Sequence, residues 1–158
     1  MFALRPRLAL LLSAGAIALV TTGCAPTQGA SDDDKEFTGV QGQVANTIDK
    51  LDDAYEDEQQ DTDNGAKTVC QELLSKRLVA QLEARGGCEK VTRDALEDAD
   101  PISMSTQAVQ VRGDQAIATV RLKLTNDDYR TDTLTLVREG RGTWKLDATK
   151  RGAVTGGD

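Results

Sequence analysis

The sequence contains no histidine, and this absence removes the commonest general base and the commonest metal ligand. Ser–His–Asp and Cys–His catalytic arrangements need an imidazole, and structural zinc sites use histidines or several cysteines. The chain has three cysteines, at positions 24, 70 and 88, and they do not form a metal-binding motif. The sequence therefore predicts no metal site and no cofactor.

Aromatic residues are also scarce, and acidic residues outnumber basic ones. Beyond residue 24 the aromatic side chains are Phe37, Tyr55, Tyr129 and Trp144, so the core must be built from Leu, Val, Ile and Ala. The whole chain has a net charge of −7; without the two arginines of residues 1–23 it has 17 basic against 26 acidic side chains, a net charge of −9. An acidic surface repels a phosphate backbone, so nucleic-acid binding is disfavoured and no nucleic-acid partner is expected.

The longest mainly apolar run lies close to the beginning of the sequence. Residues 8–20 carry no charge, and Arg5 and Arg7 precede them. A membrane-spanning helix needs roughly 20 apolar residues, so this run is short for an anchor and typical of a secretory signal. Two alternatives remain: a plain secretory signal that leaves the next cysteine as an unpaired thiol, and a buried apolar helix.

Small residues connect this run to the first cysteine. With Thr22, Gly23 and Cys24, the segment resembles a bacterial lipoprotein signal. The resemblance implies that residues 1–23 are a cleaved signal peptide and that Cys24 carries lipid, palmitate included. The protein would then be anchored on the extracytoplasmic face of the cell membrane. Residues 24–35, which are small, polar and acidic, are predicted to be a flexible tether.

With Cys24 used for lipid attachment, Cys70 and Cys88 remain. An even pair in an oxidising compartment predicts a disulfide bond. Closing a loop of this length restrains the unfolded chain by about 3 kcal/mol in the chain-entropy model. Two free buried thiols or a metal-binding pair are the alternatives, and the metal pair lacks further ligands in this sequence.

The remaining chain divides into helical and strand-like halves. Apolar residues recur at spacings of three and four in the first half and alternate in the second, which predicts amphipathic helices followed by half-buried antiparallel strands. The tail, residues 151–158, is predicted to be disordered. The predicted helices are residues 36–58, 66–84 and 88–98, and the predicted strands are residues 106–111, 116–124, 133–137 and 144–148.

Two local motifs accompany this order of elements. They are VRGDQA, residues 111–116, and GTWKLD, residues 142–147. Together with the helical first half, they resemble small secreted members of the nuclear transport factor 2-like superfamily. The resemblance covers residues 36–150 as one domain and implies an α+β cone, in which helices pack on a curved four-stranded antiparallel sheet. It also implies dimerisation through the open sheet face, which outward Ile117 and Val137 would suit.

The family contains enzymes as well as non-catalytic binding domains. Its catalytic members place an Asp, His or Tyr in a pocket, and this chain carries no matching motif. We therefore expect a lipid-anchored extracytoplasmic binding or scaffold domain of the cell envelope, whose partner is a small apolar ligand or an envelope protein. The alternative is a cofactor-free isomerase- or cyclase-like enzyme that uses a single pocket carboxylate.

Four residues are candidates for such roles. Asp132 shares the parity of the inward Leu residues of its strand, and burial there would raise its pKa and make it a general base; the favoured interpretation places it in water at the strand end. Trp144 is expected in the core rather than under a ligand. Tyr55 and Tyr129 are left open as ligand contacts.

Overall fold

The computed structural model describes residues 36–60, 64–99, 101–140 and 142–156, with the backbone only for residues 101 and 102. The predicted signal peptide, Cys24 and the tether lie outside these residues. The described chain forms helices and then an antiparallel sheet, which confirms the predicted α+β class. The helices are α1 (Gly39–Gln59), α2 (Gly65–Thr68), α3 (Lys76–Glu83) and α4 (Cys88–Glu97), with a π-helical segment (Val69–Leu73) directly after α2.

Helix α1 follows the predicted apolar stripe closely. Val44 and Ile48 are buried in the core, and Leu51 packs against it, because spacings of three and four place them on one side of the helix. Val40, at the beginning of the stripe, is exposed. The next segment approaches α1 so closely that a Cβ on Gly65 would lie 2.1 Å from the carbonyl oxygen of Ala54.

The prediction of one helix over residues 66–84 is wrong, because the chain breaks at Leu74. Leu74 is extended and forms a single β-bridge with Leu146, and the Ser75 amide donates to the Leu146 carbonyl over 2.8 Å. The Ser75 hydroxyl accepts from the Leu78 amide over 3.1 Å and so caps α3. It also donates to the Asp147 carboxylate over 2.6 Å. Residues about seventy positions away in the chain therefore hold the break between the π-helical segment and α3.

A disulfide between Cys70 and Cys88 confirms the predicted pair. It joins the π-helical segment to the first residue of α4, so α4 is held against the segment that follows α1. The buried hydroxyl of Thr92 lies 3.3 Å from the Cys70 sulfur. Because both thiols are oxidised, the free-thiol and metal-pair alternatives are removed.

The sheet is an antiparallel meander in the order β1–β2–β3–β4, and a short β5 pairs with the beginning of β3. β1 begins five residues before the predicted strand, at Pro101 instead of Thr106. Register shifts interrupt β1 between Thr106 and Ala108 and the β3–β4 pair between Thr135 and Leu136, and such bulges bend strands. The strands are β1 (Pro101–Arg112), β2 (Gln115–Leu124), β3 (Tyr129–Glu139), β4 (Thr143–Lys150) and β5 (Val154–Thr155).

The sheet has one covered and one open face. We call the helix-covered side the inner face and the other side the outer face. The inner face and the helices share one apolar core, which leaves their interface filled with side chains. Its strand residues are Val109, Ala116, Ala118, Val120, Leu122, Leu124, Leu134, Leu136, Trp144 and Leu146.

The predicted disordered tail contains β5, whose two residues pair with Tyr129 and Arg130. The segment before β5 passes close to β3, since a Cβ on Gly152 would lie 1.8 Å from the Thr131 carbonyl oxygen. Only glycine permits this approach without a shift of the backbone. The sheet therefore has five strands instead of the four that the sequence predicts.

Candidate functional site

Asp132 is buried, with 4% of its surface exposed, so the prediction that it lies in water is wrong. The side chain stands on the inner face, opposite Val120. Arg130 reaches it with two hydrogen bonds, of 2.9 Å from Nε and 3.1 Å from Nη2. The Gly152 amide donates to the same carboxylate over 3.0 Å. The sequence-based prediction failed because Gly152, which contacts the carboxylate, belongs to the tail of residues 151–158, and this tail was predicted to be disordered.

The carboxylate of Asp132 is therefore fully engaged. Oδ1 accepts from both Arg130 and Gly152, and Oδ2 accepts from Arg130. A general base must have an oxygen within hydrogen-bond reach of the proton that it removes. The role of Asp132 is therefore structural, because its hydrogen bonds connect the beginning of β3 to the segment that leads into β5.

Trp144 lies in the core with 2% of its surface exposed. The guanidinium of Arg138 sits 4.8 Å from the centre of its ring. Its indole nitrogen is buried and has no hydrogen-bond partner among the described residues. A ligand cannot stack on this ring without displacing the side chains that cover it.

Tyr55 connects two parts of the fold. It is half-buried on α1, and its hydroxyl donates to the Ala99 carbonyl over 3.0 Å, just before β1. This contact gives the side chain a structural role at the junction between the helices and the sheet.

Tyr129 lies in a cleft on the outer face, which we call the Arg121 cleft. The cleft measures about 340 Å³ and is lined by Ser103, Ser105, Arg121, Lys123 and Tyr129. Strand pairing brings these residues together, because Ser105 lies opposite Arg121, and Lys123 lies opposite both Ser103 and Tyr129. Ser103 and Ser105 were missed from the sequence, because the register shift between Thr106 and Ala108 interrupts the period-two pattern that follows them.

The polar groups of the cleft are held in place by their neighbours. The Arg121 guanidinium lies over the Tyr129 ring, 3.7 Å from its centre. The Ser105 hydroxyl donates to the Arg121 carbonyl over 3.4 Å. Lys123 is paired with Asp127 over 3.1 Å, and this hydrogen bond raises the pKa of the lysine. The cleft thus presents two cations, two serine hydroxyls and a phenol.

A second polar group, Glu58, was missed in the helical layer. This buried carboxylate accepts from the Ala66 amide over 2.8 Å and from Arg93 Nε over 3.0 Å. It therefore links α1 to α2 and α4. The signal was its position on the buried side of α1, three residues after Tyr55, where an ionised side chain needs a partner.

Among the described carboxyl groups, Asp52 has the largest rise in pKa. Burial raises its pKa to about 6, and the negative charges of Glu56, Asp53 and Asp49 add to the effect. A hydrogen bond with the Met104 backbone acts in the opposite direction. The contact with Met104 places Asp52 against β1, the first strand in the order of the sheet.

The described residues show neither a metal cluster nor a membrane span. They contain no group of three or more His, Cys, Asp or Glu side chains that could hold a metal ion. Within the same part of the chain, no helix is long and apolar enough to cross a membrane.

The fold is thus that of an α+β domain with helices on one face of an antiparallel sheet and a polar cleft on the other face. Comparison with protein-family models, curated proteins and solved structures finds no match to this chain.

Proposed function

We propose that the protein is a lipid-anchored, extracytoplasmic binding or scaffold domain of the cell envelope, and that it binds through the outer face of its sheet. The lipoprotein-like signal supports the location, and Cys24 is the proposed site of acylation. The resemblance to the nuclear transport factor 2-like superfamily remains part of this proposal. The order of helices followed by a meander is compatible with it.

One observation carries the proposal: the inner face of the sheet is buried under the helices, whereas the outer face is open to solvent. The inner face is covered by the helices and shares one apolar core with them. On the outer face, Ile117 keeps 46% of its surface exposed, and polar side chains surround it. A surface partner fits this arrangement better than a small apolar ligand enclosed between helices and sheet.

Both long edges of the sheet are partly covered, which also directs a partner to the outer face. At the β1 edge, Gln41 donates to the Val109 carbonyl over 2.8 Å, and Asp52 bonds to the Met104 backbone. At the β4 edge, the Leu146 carbonyl accepts from the Ser75 amide. Strand addition needs free backbone groups, so these contacts disfavour that mode of binding.

Binding is also better supported than catalysis. The alternative of a cofactor-free enzyme depended on a pocket carboxylate, and Asp132 is engaged by Arg130 and Gly152. Asp52 has a raised pKa, but its neighbours are carboxylates and a strand edge. Neither arrangement combines a free base with a cleft.

The location is tested by metabolic labelling with palmitate. We expect label on the wild-type protein and none on Cys24→Ala, which should also leave the membrane fraction. Equal labelling of the two proteins, or labelling of neither, would contradict lipid attachment at Cys24.

The binding face is tested by photo-crosslinking in intact cells. A photoreactive residue at Ile117, on the outer face, should give a discrete adduct with one envelope component. The same residue at Lys67, an exposed position of the helical layer, is the control and should not give that adduct. An identical adduct pattern at both positions would remove the support for the outer face.

A further inference from the structure

We propose that the Arg121 cleft binds a phosphate ester group. This inference deepens the proposed function, since it gives the chemical class that the outer face recognises. It depends on the contacts of Arg121, on the donors around it and on the distribution of charge over the outer face.

Arg121 supplies the main donor. Its guanidinium is supported on one side by the Tyr129 ring, and it has no carboxylate ion-pair partner among the described residues. A guanidinium stacked in this way keeps its in-plane N–H groups free, and these match two oxygens of a phosphate. Because the ring already restricts the side chain, less conformational entropy is lost when an anion binds.

The other lining residues extend the donor set. Lys123 adds a second positive charge, and its partner Asp127 is largely solvent-exposed, so this ion pair is weak and open to exchange. Ser103 adds a hydroxyl from the neighbouring strand, whereas the Ser105 hydroxyl already donates to the Arg121 carbonyl. A carboxylate offers two acceptor oxygens, whereas a phosphate monoester offers three and uses more of these donors.

The surrounding charges make the cleft a local exception in an acidic protein. The chain as a whole has a net charge of −7. By contrast, the outer-face positions of β1 and β2 and those of β3 up to Val137 carry hydroxyl, amide, apolar or basic side chains, with no carboxylate among those described. An extended polyanion would also lie close to the acidic remainder of the protein, which repels it. A single phosphate group contacts only the cleft and avoids that repulsion.

The phosphate could belong to a lipid headgroup or to a soluble or polymeric ester. The predicted tether of residues 24–35 spans at most about 40 Å when fully extended, so both sources are within reach of an anchored domain. The acidic net charge opposes close contact with an anionic bilayer. We therefore expect the ester to come from a source other than the bilayer surface.

The test is a titration of the full chain with glycerol 3-phosphate in an uncharged detergent. Binding is monitored through the amide chemical shifts in NMR spectra. We expect saturable shifts centred on Ser105, Arg121 and Tyr129, and no such shifts with glycerol. Arg121→Gln should raise the dissociation constant about tenfold, because it removes charge-assisted bidentate bonds. The control Arg112→Gln, which removes the same charge from an exposed position at the end of β1, should change it less than about twofold.

Tyr129→Leu is a second variant, which leaves the net charge unchanged. We expect about threefold weaker binding, since the ring no longer supports the guanidinium. A response that does not saturate, or that Arg112→Gln weakens as much as Arg121→Gln does, overturns the proposal. Unchanged thermal unfolding of the variants shows that binding, and not folding, is altered.

The source of the phosphate is separated by sedimentation with vesicles. The Cys24→Ala chain is mixed with phosphatidylcholine vesicles, with and without phosphatidic acid, whose headgroup is a phosphate monoester. Given saturable binding of glycerol 3-phosphate, absence of sedimentation supports a source other than the bilayer. Sedimentation that requires phosphatidic acid and is lost with Arg121→Gln supports a lipid headgroup. A failure of palmitate labelling leaves the titration unaffected, so the two proposals fail separately.

Discussion

The two faces of the sheet share their backbone and differ in almost every physical respect. On the inner face, Leu134 and Leu136 are buried in the core, and the one buried carboxylate of β3 is paired with Arg130. On the outer face the alternating residues of β3 are Tyr129, Thr131, Thr133, Thr135 and Val137, which are exposed or half-buried. Period-two alternation is thus sufficient to give one sheet a stabilising side and a side that is free to bind.

The ion pairs of the two faces differ in their exposure to solvent. Arg130 and Asp132 form a bidentate pair in which the side chains are 16% and 5% exposed. In the outer pair, Lys123 and Asp127 are 41% and 82% exposed. A buried pair is costly to break, whereas an exposed pair contributes little and is easily exchanged for a ligand.

The largest expected effect is on the apolar side. Leu136→Ala should lower the free energy of unfolding by about 3 kcal/mol, because it removes buried methyl groups and leaves a cavity. Ile117→Ala, on the outer face of the neighbouring strand, should cost less than about 1 kcal/mol. Urea denaturation measures both values. Equal losses at the two positions would contradict the division into a packed and an open face.

The second prediction concerns the disulfide, which lies in the layer that covers the inner face. Cys70→Ala combined with Cys88→Ala should lower the free energy of unfolding by about 3 kcal/mol, because the unfolded chain regains the freedom of the closed loop. Urea denaturation with and without dithiothreitol checks this value. The reductant should lower the free energy of unfolding of the wild-type protein and leave that of the double variant unchanged. An equal response of both proteins would show that the covalent bond does not stabilise the cover.

The sequence predicts those parts of the fold that depend on local periodicity. The alternation of Ala116, Ala118 and Val120 is enough to assign the inner face of β2, and the pair of cysteines is enough to predict the disulfide. The break at Leu74 could not be predicted, because apolar spacing continues through it. Leu146 and Asp147, which hold the break, are about seventy residues away in the chain.

The candidate site was predicted only in part, for the same reason. The alternation of residues 116–124 is enough to place Arg121 and Lys123 on the polar face of their strand, and Tyr129 was a candidate ligand contact. Ser103 and Ser105 were missed because β1 was predicted to begin at Thr106, and the bulge that follows changes the parity of the strand. Burial of Asp132 depends on the Gly152 amide, which comes from a segment without periodicity.

The third prediction compares the ion pairs of the two faces. Arg130→Met should lower the free energy of unfolding by about 2 kcal/mol, since it leaves the buried Asp132 without its cation. Lys123→Met removes the cation of the outer pair and should cost less than about 0.5 kcal/mol. Denaturation at neutral pH and low salt gives both values. If Lys123→Met were the more damaging change, the outer pair would be structural and unsuited to exchange with a ligand.

The smallest effect concerns Asp52, a carboxyl of α1 that lies against the β1 edge and forms no ion pair with a basic side chain among the described residues. Its pKa is about 6 in the folded protein, against 3.8 for the ordinary group, with burial as the main cause. Folding therefore takes up a proton between these two pH values, and the free energy of unfolding falls as the pH rises through this window.

Asp52→Asn removes this dependence, since the amide oxygen still accepts from Met104 but does not ionise. Because Asp52 is partly solvated, we expect a gain of only about 1 kcal/mol above pH 6 and none at about pH 4. Urea denaturation at the two pH values measures it. Glu36→Gln, which removes an exposed negative charge before α1, should give no comparable pH-dependent gain. A gain of Asp52→Asn that is the same at both pH values would mean that it arises from the amide's own contacts, and not from the relief of a buried charge beside the strand edge.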